Sequence, residues 1–117
     1  MTEPTRIFHN PRCSKSRQAL ELLMERGIEP DIIRYLEAPP TERELDDILT
    51  ALACEPRALM RTKEKEYKEL GLDNPGLSRN QLIAAMVANP KLIERPIVIA
   101  NGRAVLGRPP EQILTIL

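Results

Sequence analysis

The sequence predicts an α/β fold: one mixed four-stranded sheet in the order βαβ…ββα, with a block of helices between the two halves. Three observations predict it. Two short apolar runs, Arg6-Ile7-Phe8-His9 and Ile32-Ile33-Arg34-Tyr35-Leu36, flank a segment with helical periodicity. Two helix-start signatures, Thr41 with Glu44 and Ser78 with Gln81, open the segments between the halves. Near the end, Asn101-Gly102 stands between two further apolar runs, the strongest short hairpin signal.

The elements follow in order. Arg6 to His9 reads as the first strand, and Asn10-Pro11 breaks it. A helix follows from about Ser14 to Arg26, with Ala19, Leu20, Leu23 and Met24 on its buried face and Gly27 as its stop. Ile32 to Leu36 is the second strand. A strand, a helix and a strand within about 30 residues make a βαβ unit with parallel strands and a right-handed crossover. Leu45, Ile48, Leu49 and Leu52 give the next helix an apolar stripe. Thr62 is placed to cap a short charged helix ending at Leu70-Gly71. Ser78 opens a helix to about Ala88 that buries Leu82, Ile83, Met86 and Val87. Strands at Pro96–Ala100 and Arg103–Leu106 form the hairpin, and Pro109-Pro110 starts a last helix through Ile113, Leu114 and Leu117. This is the order of a thioredoxin-like core, a single domain over residues 1–117, with a helical insertion over about 41–90.

Composition narrows the function. The chain has 117 residues, enough for one compact domain. Seventeen basic and 17 acidic side chains cancel, which argues against nucleic acid or an anionic membrane as partner. The longest apolar stretch, Leu82 to Ala88, is far short of the ~20 residues of a membrane span. MTEPTR carries no apolar signal region, so a cytoplasmic location with free thiols is expected. Cys13 and Cys54 with one histidine give neither a disulfide framework nor a zinc set, and no metal is expected. No glycine-rich nucleotide loop is present, so no bound cofactor is expected either.

Cys13 carries the chemistry. It falls between the end of the first strand and the start of the first helix, in His9-Asn10-Pro11-Arg12-Cys13-Ser14-Lys15-Ser16-Arg17. A helix start offers unpaired N–H groups and the positive end of the dipole, which favour a thiolate. Arg12, Lys15 and Arg17 add positive charge nearby. The expected result is an accessible, low-pKa nucleophile beside a cradle that also suits an external oxyanion. Buried free cysteines usually act as small hydrophobes; that reading is kept for Cys54. His9, at the strand end, is a packed residue that can also polarise the site. Ser16 stands three after Cys13, where a Cys-x-x-Cys motif would place its second thiol, so an external thiol must resolve any intermediate.

Arg61, Arg95 and Arg108 stand out among the cations. Arg95 and Arg108 each precede a proline at the head of an element, and a guanidinium fork matches a tetrahedral oxyanion in shape and charge. In a thioredoxin-like fold a cis-proline before the third strand faces the reactive cysteine, which points to Arg95-Pro96. The Lys63-Glu64-Lys65-Glu66 run reads as a solvated helix face.

Taken together, His9-Asn10-Pro11, Cys13, Ser16-Arg17, Tyr35-Leu36, Pro39-Pro40-Thr41, Glu44-Leu45, Arg57-Ala58-Leu59, Arg61, Tyr67, Glu69-Leu70-Gly71-Leu72, Leu92-Ile93, Arg95-Pro96-Ile97-Val98 and Arg108-Pro109 with Glu111 resemble the glutaredoxin-dependent arsenate reductase family, in its short form. The resemblance spans nearly the whole chain. It implies Cys13 as nucleophile toward arsenate and Arg61, Arg95 and Arg108 as the arginines that hold the oxyanion. It assigns His9, Asn10, Ser16, Arg17 and Pro96 supporting places. It also implies glutathione as co-substrate and glutaredoxin as protein partner. Two alternatives stay open: a monothiol oxidoreductase acting on glutathione mixed disulfides, and a non-enzymatic regulator resembling Spx, which binds RNA polymerase.

Overall fold

The computed structural model describes residues 4–117. Its contacts divide the chain into two units: one runs to Ala38 and resumes over Arg95–Leu117, and the other is Pro39–Glu94.

The first unit contains a four-stranded sheet. Its strands are β1 (Arg6–Phe8), β2 (Asp31–Ile33), β3 (Ile97–Ala100) and β4 (Arg103–Leu106), in the order β2-β1-β3-β4. β1 pairs parallel with β2 and antiparallel with β3, and β3 pairs antiparallel with β4. This is the thioredoxin-like mixed sheet predicted above. The β3–β4 loop is Asn101-Gly102 with φ of 55° and 73°, the double positive φ that a two-residue primed turn requires.

Helix α1 (Ser14–Glu25) crosses between β1 and β2 and ends before Gly27, whose φ of 74° needs no Cβ to be accommodated. Ala19 and Leu23 pack with Ile7, Val98, Ala100, Ile113 and Ile116 in one apolar cluster. Met24 departs from the expected buried face and is 63% exposed. At 3.6 residues per turn it lies about 140° around the helix from Ala19. Leu20 and Leu22 instead flank the cluster.

One further expectation fails here for an identifiable reason. The second strand stops at Ile33 rather than Leu36, because the N–H groups of Glu37 and Ala38 both donate to the Arg34 carbonyl and close a turn. The final helix is found where it is expected, over Pro110–Ile116, as a 3₁₀ helix packed on α1 and β4.

The second unit is helical. In α2 (Glu42–Leu52) the Thr41–Glu44 capping box is complete, and Leu45, Ile48 and Leu49 are buried. In α4 (Arg79–Ala88) the Ser78–Gln81 box is complete and Leu82, Ile83 and Met86 are buried, with Val87 only half-buried. These faces pack together, α2 on α4. Between them, α3 (Lys65–Glu69) starts from Glu64 rather than Thr62. An isolated antiparallel bridge joins Met60 to Ile93. Among the described residues no helix is long and apolar enough to cross a membrane.

Candidate active site

The turn from β1 into α1 is tied down by its own side chains. The His9 N–H donates to the Ile33 carbonyl at 2.8 Å, extending the β1–β2 pairing by one residue. Asn10 then holds the turn through both ends: its carbonyl accepts the Cys13 N–H and its Oδ1 accepts the Arg12 N–H, each at 3.0 Å. Arg17 reaches back through Nη1 to the Pro11 carbonyl at 3.0 Å. The fully buried Ser16 Oγ accepts the Asn10 N–H at 3.0 Å and lies 2.6 Å from His9 Nδ1. His9, Asn10, Ser16 and Arg17 therefore shape the loop that presents position 13.

Cys13 is the N-cap of α1, with the extended backbone (φ −93°, ψ 123°) of that position. Burial pushes its thiol pKa up. That effect is outweighed by the Ser16 N–H, the Arg95 guanidinium, the Lys15 N–H and the Arg108 guanidinium, so the net pKa is lowered. No side-chain capping bond is formed at this helix start. A neutral thiol is a weak acceptor; the charged sulfur is what those two amides favour.

Two expectations are corrected here. The residue is only 8% exposed, so the cysteine is recessed rather than freely accessible. The cations acting on it are Arg95 and Arg108, whereas sequence proximity had pointed to Arg12, Lys15 and Arg17. Arg17 instead acts on His9, whose pKa is lowered by burial, then by Arg34 and by Arg17. A neutral His9 brings no positive charge to the thiolate; its visible task is the contact with Ser16.

Arg95 and Arg108 stand at the two ends of the β3–β4 hairpin, 13 residues apart, and are joined directly. Arg108 donates through Nη1 to the Arg95 carbonyl at 3.2 Å, and the Gly107 N–H donates to the Pro96 carbonyl at 2.8 Å. Both Arg95-Pro96 and Arg108-Pro109 are cis. The first was anticipated from the fold, the second was not.

Arg61 belongs to the helical unit. Its N–H donates to the Leu92 carbonyl at 2.7 Å, and its Nη2 pairs with Glu64 Oε1 at 2.9 Å. Glu64 also faces Lys91, whose Nζ is 3.5 Å from Glu64 Oε2 and 3.5 Å from Glu66 Oε1. The run from Lys63 to Glu66 is thus more than a solvated face. The Arg61–Glu64 pair spans a turn closed by the Glu64 N–H on the Arg61 carbonyl at 3.1 Å, outside any helix, so helical spacing does not announce it. Cys54 follows the C-cap of α2, half-buried, with its pKa raised by burial against a smaller lowering by Arg79.

Comparison with known proteins gives this geometry a context. An arsenate reductase of Neisseria meningitidis is 54% identical over 113 residues, covering 96% of this chain and 97% of the relative. The Escherichia coli K12 protein YfgD, itself uncharacterized, is 56% identical over 118 residues, covering 100% of this chain and 99% of that protein. The solved structure of an arsenate reductase from Vibrio cholerae superposes with a TM-score of 0.95 at 52% identity, covering 100% of both chains. Residues 8–116, which include Cys13 and all three arginines, match the ArsC family, and to that family this chain belongs.

Proposed function

We propose that this protein is an arsenate reductase that works through one catalytic cysteine, with glutathione and glutaredoxin as reductants, in a reducing cytoplasm. The observation that carries the reading is a recessed cysteine at a helix start, its thiolate favoured by two amides and by two arginines tied to each other. The names of the relatives from Neisseria and Vibrio support the same substrate.

Arg95 and Arg108 would hold arsenate beside Cys13, and Arg61 is the third arginine that the family resemblance assigns to the oxyanion. The guanidinium groups offset charge on oxygen while sulfur attacks arsenic. An S–As bond forms, one oxygen leaves as water after protonation, and arsenic remains pentavalent. A glutathione thiolate then attacks the Cys13 sulfur. The new S–S bond forms as the S–As bond breaks, its electron pair stays on arsenic, and arsenite departs. Glutaredoxin's thiolate attacks the glutathione sulfur and returns Cys13 to its thiolate form. An external thiol is needed because Ser16 stands where a second cysteine would resolve the adduct.

The test is an arsenate reduction assay with glutathione and glutaredoxin, comparing the intact protein with Cys13→Ser. Turnover in the first and none in the second is expected. Absence of turnover in the intact protein, with retained reduction of glutathione mixed disulfides, would replace this reading by the general monothiol one.

A further inference from the structure

Gly107 is a buried glycine at the end of β4, one step beyond the last β3–β4 pair, Ile97 with Leu106. Its own φ does not demand glycine, since it is absent from the positive-φ residues. What demands glycine is space. A Cβ at this position would stand 2.8 Å from Pro96 Cγ and 3.3 Å from Ile113 Cγ2. The first distance is below van der Waals contact. Pro96 Cγ has only the small travel of ring pucker, because the ring closes on its own backbone nitrogen, and a larger retreat carries the chain beside Arg95 with it. The Ile113 contact lies in the apolar cluster with Ala19 and Leu23, which leaves little room to yield.

The two arginines flank this contact. Arg95 immediately precedes Pro96, and Arg108 immediately follows Gly107. Two hydrogen bonds lace the segments together, Gly107 N–H to the Pro96 carbonyl at 2.8 Å and Arg108 Nη1 to the Arg95 carbonyl at 3.2 Å. Any side chain at position 107 must open the first of these or push Pro96 aside, and either shifts one arginine relative to the other.

We propose that Gly107 is a positioning residue of the Cys13 site: the space left by its missing side chain lets Pro96 close on the end of β4, and that closure fixes where Arg95 and Arg108 stand. The inference rests on those two arginines being the cations of the site. It assigns Gly107 no contact with substrate.

The experiment reads the cysteine itself. In a Cys54→Ser background, leaving one thiol, the rate of iodoacetamide alkylation of Cys13 is followed against pH for the parent and Gly107→Ala. The groups acting on this thiol are the Ser16 and Lys15 amides, Arg95 and Arg108. Only the two arginines are displaced by the substitution, so the midpoint should rise by about half a pH unit or more, a threefold loss of thiolate on the acid side. In the arsenate assay KM should rise more than kcat falls, because pre-placed binding groups have been moved.

Two comparisons separate positioning from general damage. Ile116→Val trims the same apolar cluster and should lower the melting temperature without moving the alkylation midpoint. In an Ile113→Ala background the Cγ2 that would stand 3.3 Å from the new methyl is gone, so the methyl gains room to retreat from Pro96; adding Gly107→Ala there should raise the midpoint by less than in the parent, and this pair keeps the test open if Gly107→Ala alone fails to fold. An unchanged midpoint in a folded Gly107→Ala overturns the proposal. So does an equal shift in Ile116→Val, or no shift at all on adding Gly107→Ala to Ile113→Ala. Failure of the arsenate assay in the parent would remove the substrate reading alone, since alkylation needs no arsenate.

Discussion

Arg108 donates a hydrogen bond to the carbonyl of Arg95, so one cation of the site braces the backbone that carries the other. The pair therefore behaves as a unit. Arg108→Ala removes both a charge near Cys13 and the brace on Arg95. It should raise the thiol pKa and lower arsenate turnover by roughly 10- to 100-fold, the scale of a lost charge-assisted hydrogen bond. Arg108→Lys keeps the charge and loses the fork. It should leave the alkylation midpoint near that of the intact protein while turnover still drops. Paired alkylation and turnover measurements check this, and equal effects of Ala and Lys on the midpoint would contradict it. The double substitution with Arg95→Ala should cost less than the two single losses combined, as expected for residues in one network.

The His9–Ser16 contact gives a second prediction, on stability. Ser16→Ala removes the acceptor of the Asn10 N–H and the hydroxyl 2.6 Å from His9 Nδ1, inside a buried loop. A loss of about 1–3 kcal/mol is expected, the cost of leaving buried polar groups unmatched. Burial, Arg34 and Arg17 hold the His9 pKa below its ordinary value of about 6.5. The unfolded chain therefore takes up the proton first. The stability that a neutral His9 confers is fully present above that ordinary value and is lost as pH falls through its lower folded value. Urea unfolding from pH 7 down to 5 should show this fall in the intact protein, and His9→Asn should flatten it.

Much of this architecture is legible because the signals are local. Thr41 and Ser78 announce their helices through side chains that bond three residues on, and Asn101-Gly102 declares the hairpin through backbone freedom. Cys13 is legible for the same reason, since a strand end, a turn and a helix start lie within a few residues. Misreadings arise where distant contacts decide. The Arg34–Ala38 turn ends β2 although Tyr35 and Leu36 have good strand chemistry. Met24 is apolar yet exposed, since it lies about 140° around α1 from Ala19, outside the face covered by Ile7, Val98, Ala100, Ile113 and Ile116. Within the site, Arg12 and Lys15 are near Cys13 along the chain, whereas Arg95 and Arg108 reach it through the β1–β3–β4 pairing. Gly107 carries no side-chain signal at all; its importance is visible only once Pro96 is placed against it.

The two cysteines offer the sharpest contrast in chemistry, and the last prediction. Burial raises the pKa of both thiols. At Cys54 the opposing influence of Arg79 is smaller and the pKa stays raised, whereas at Cys13 two amides and two arginines reverse the balance. Alkylation depends on the thiolate, so brief exposure to iodoacetamide at pH 7 should modify Cys13 well before Cys54, despite the recessed position of Cys13. Peptide mass spectrometry after timed quenching would read the order. The same balance fixes the sign of the pH dependence of stability. The stability contributed by the Cys13 thiolate is fully present above the unfolded thiol's pKa, about 8.5, and is lost as pH falls through the lower folded value. Ionisation of Cys54 works oppositely and costs stability as pH rises past that unfolded value. Between neutral pH and pH 9 the intact protein should therefore gain stability relative to Cys13→Ser and lose it relative to Cys54→Ser. Faster alkylation at Cys54, or the reverse trend with pH, would mean that the arginines and the helix start do not govern the sulfur of Cys13.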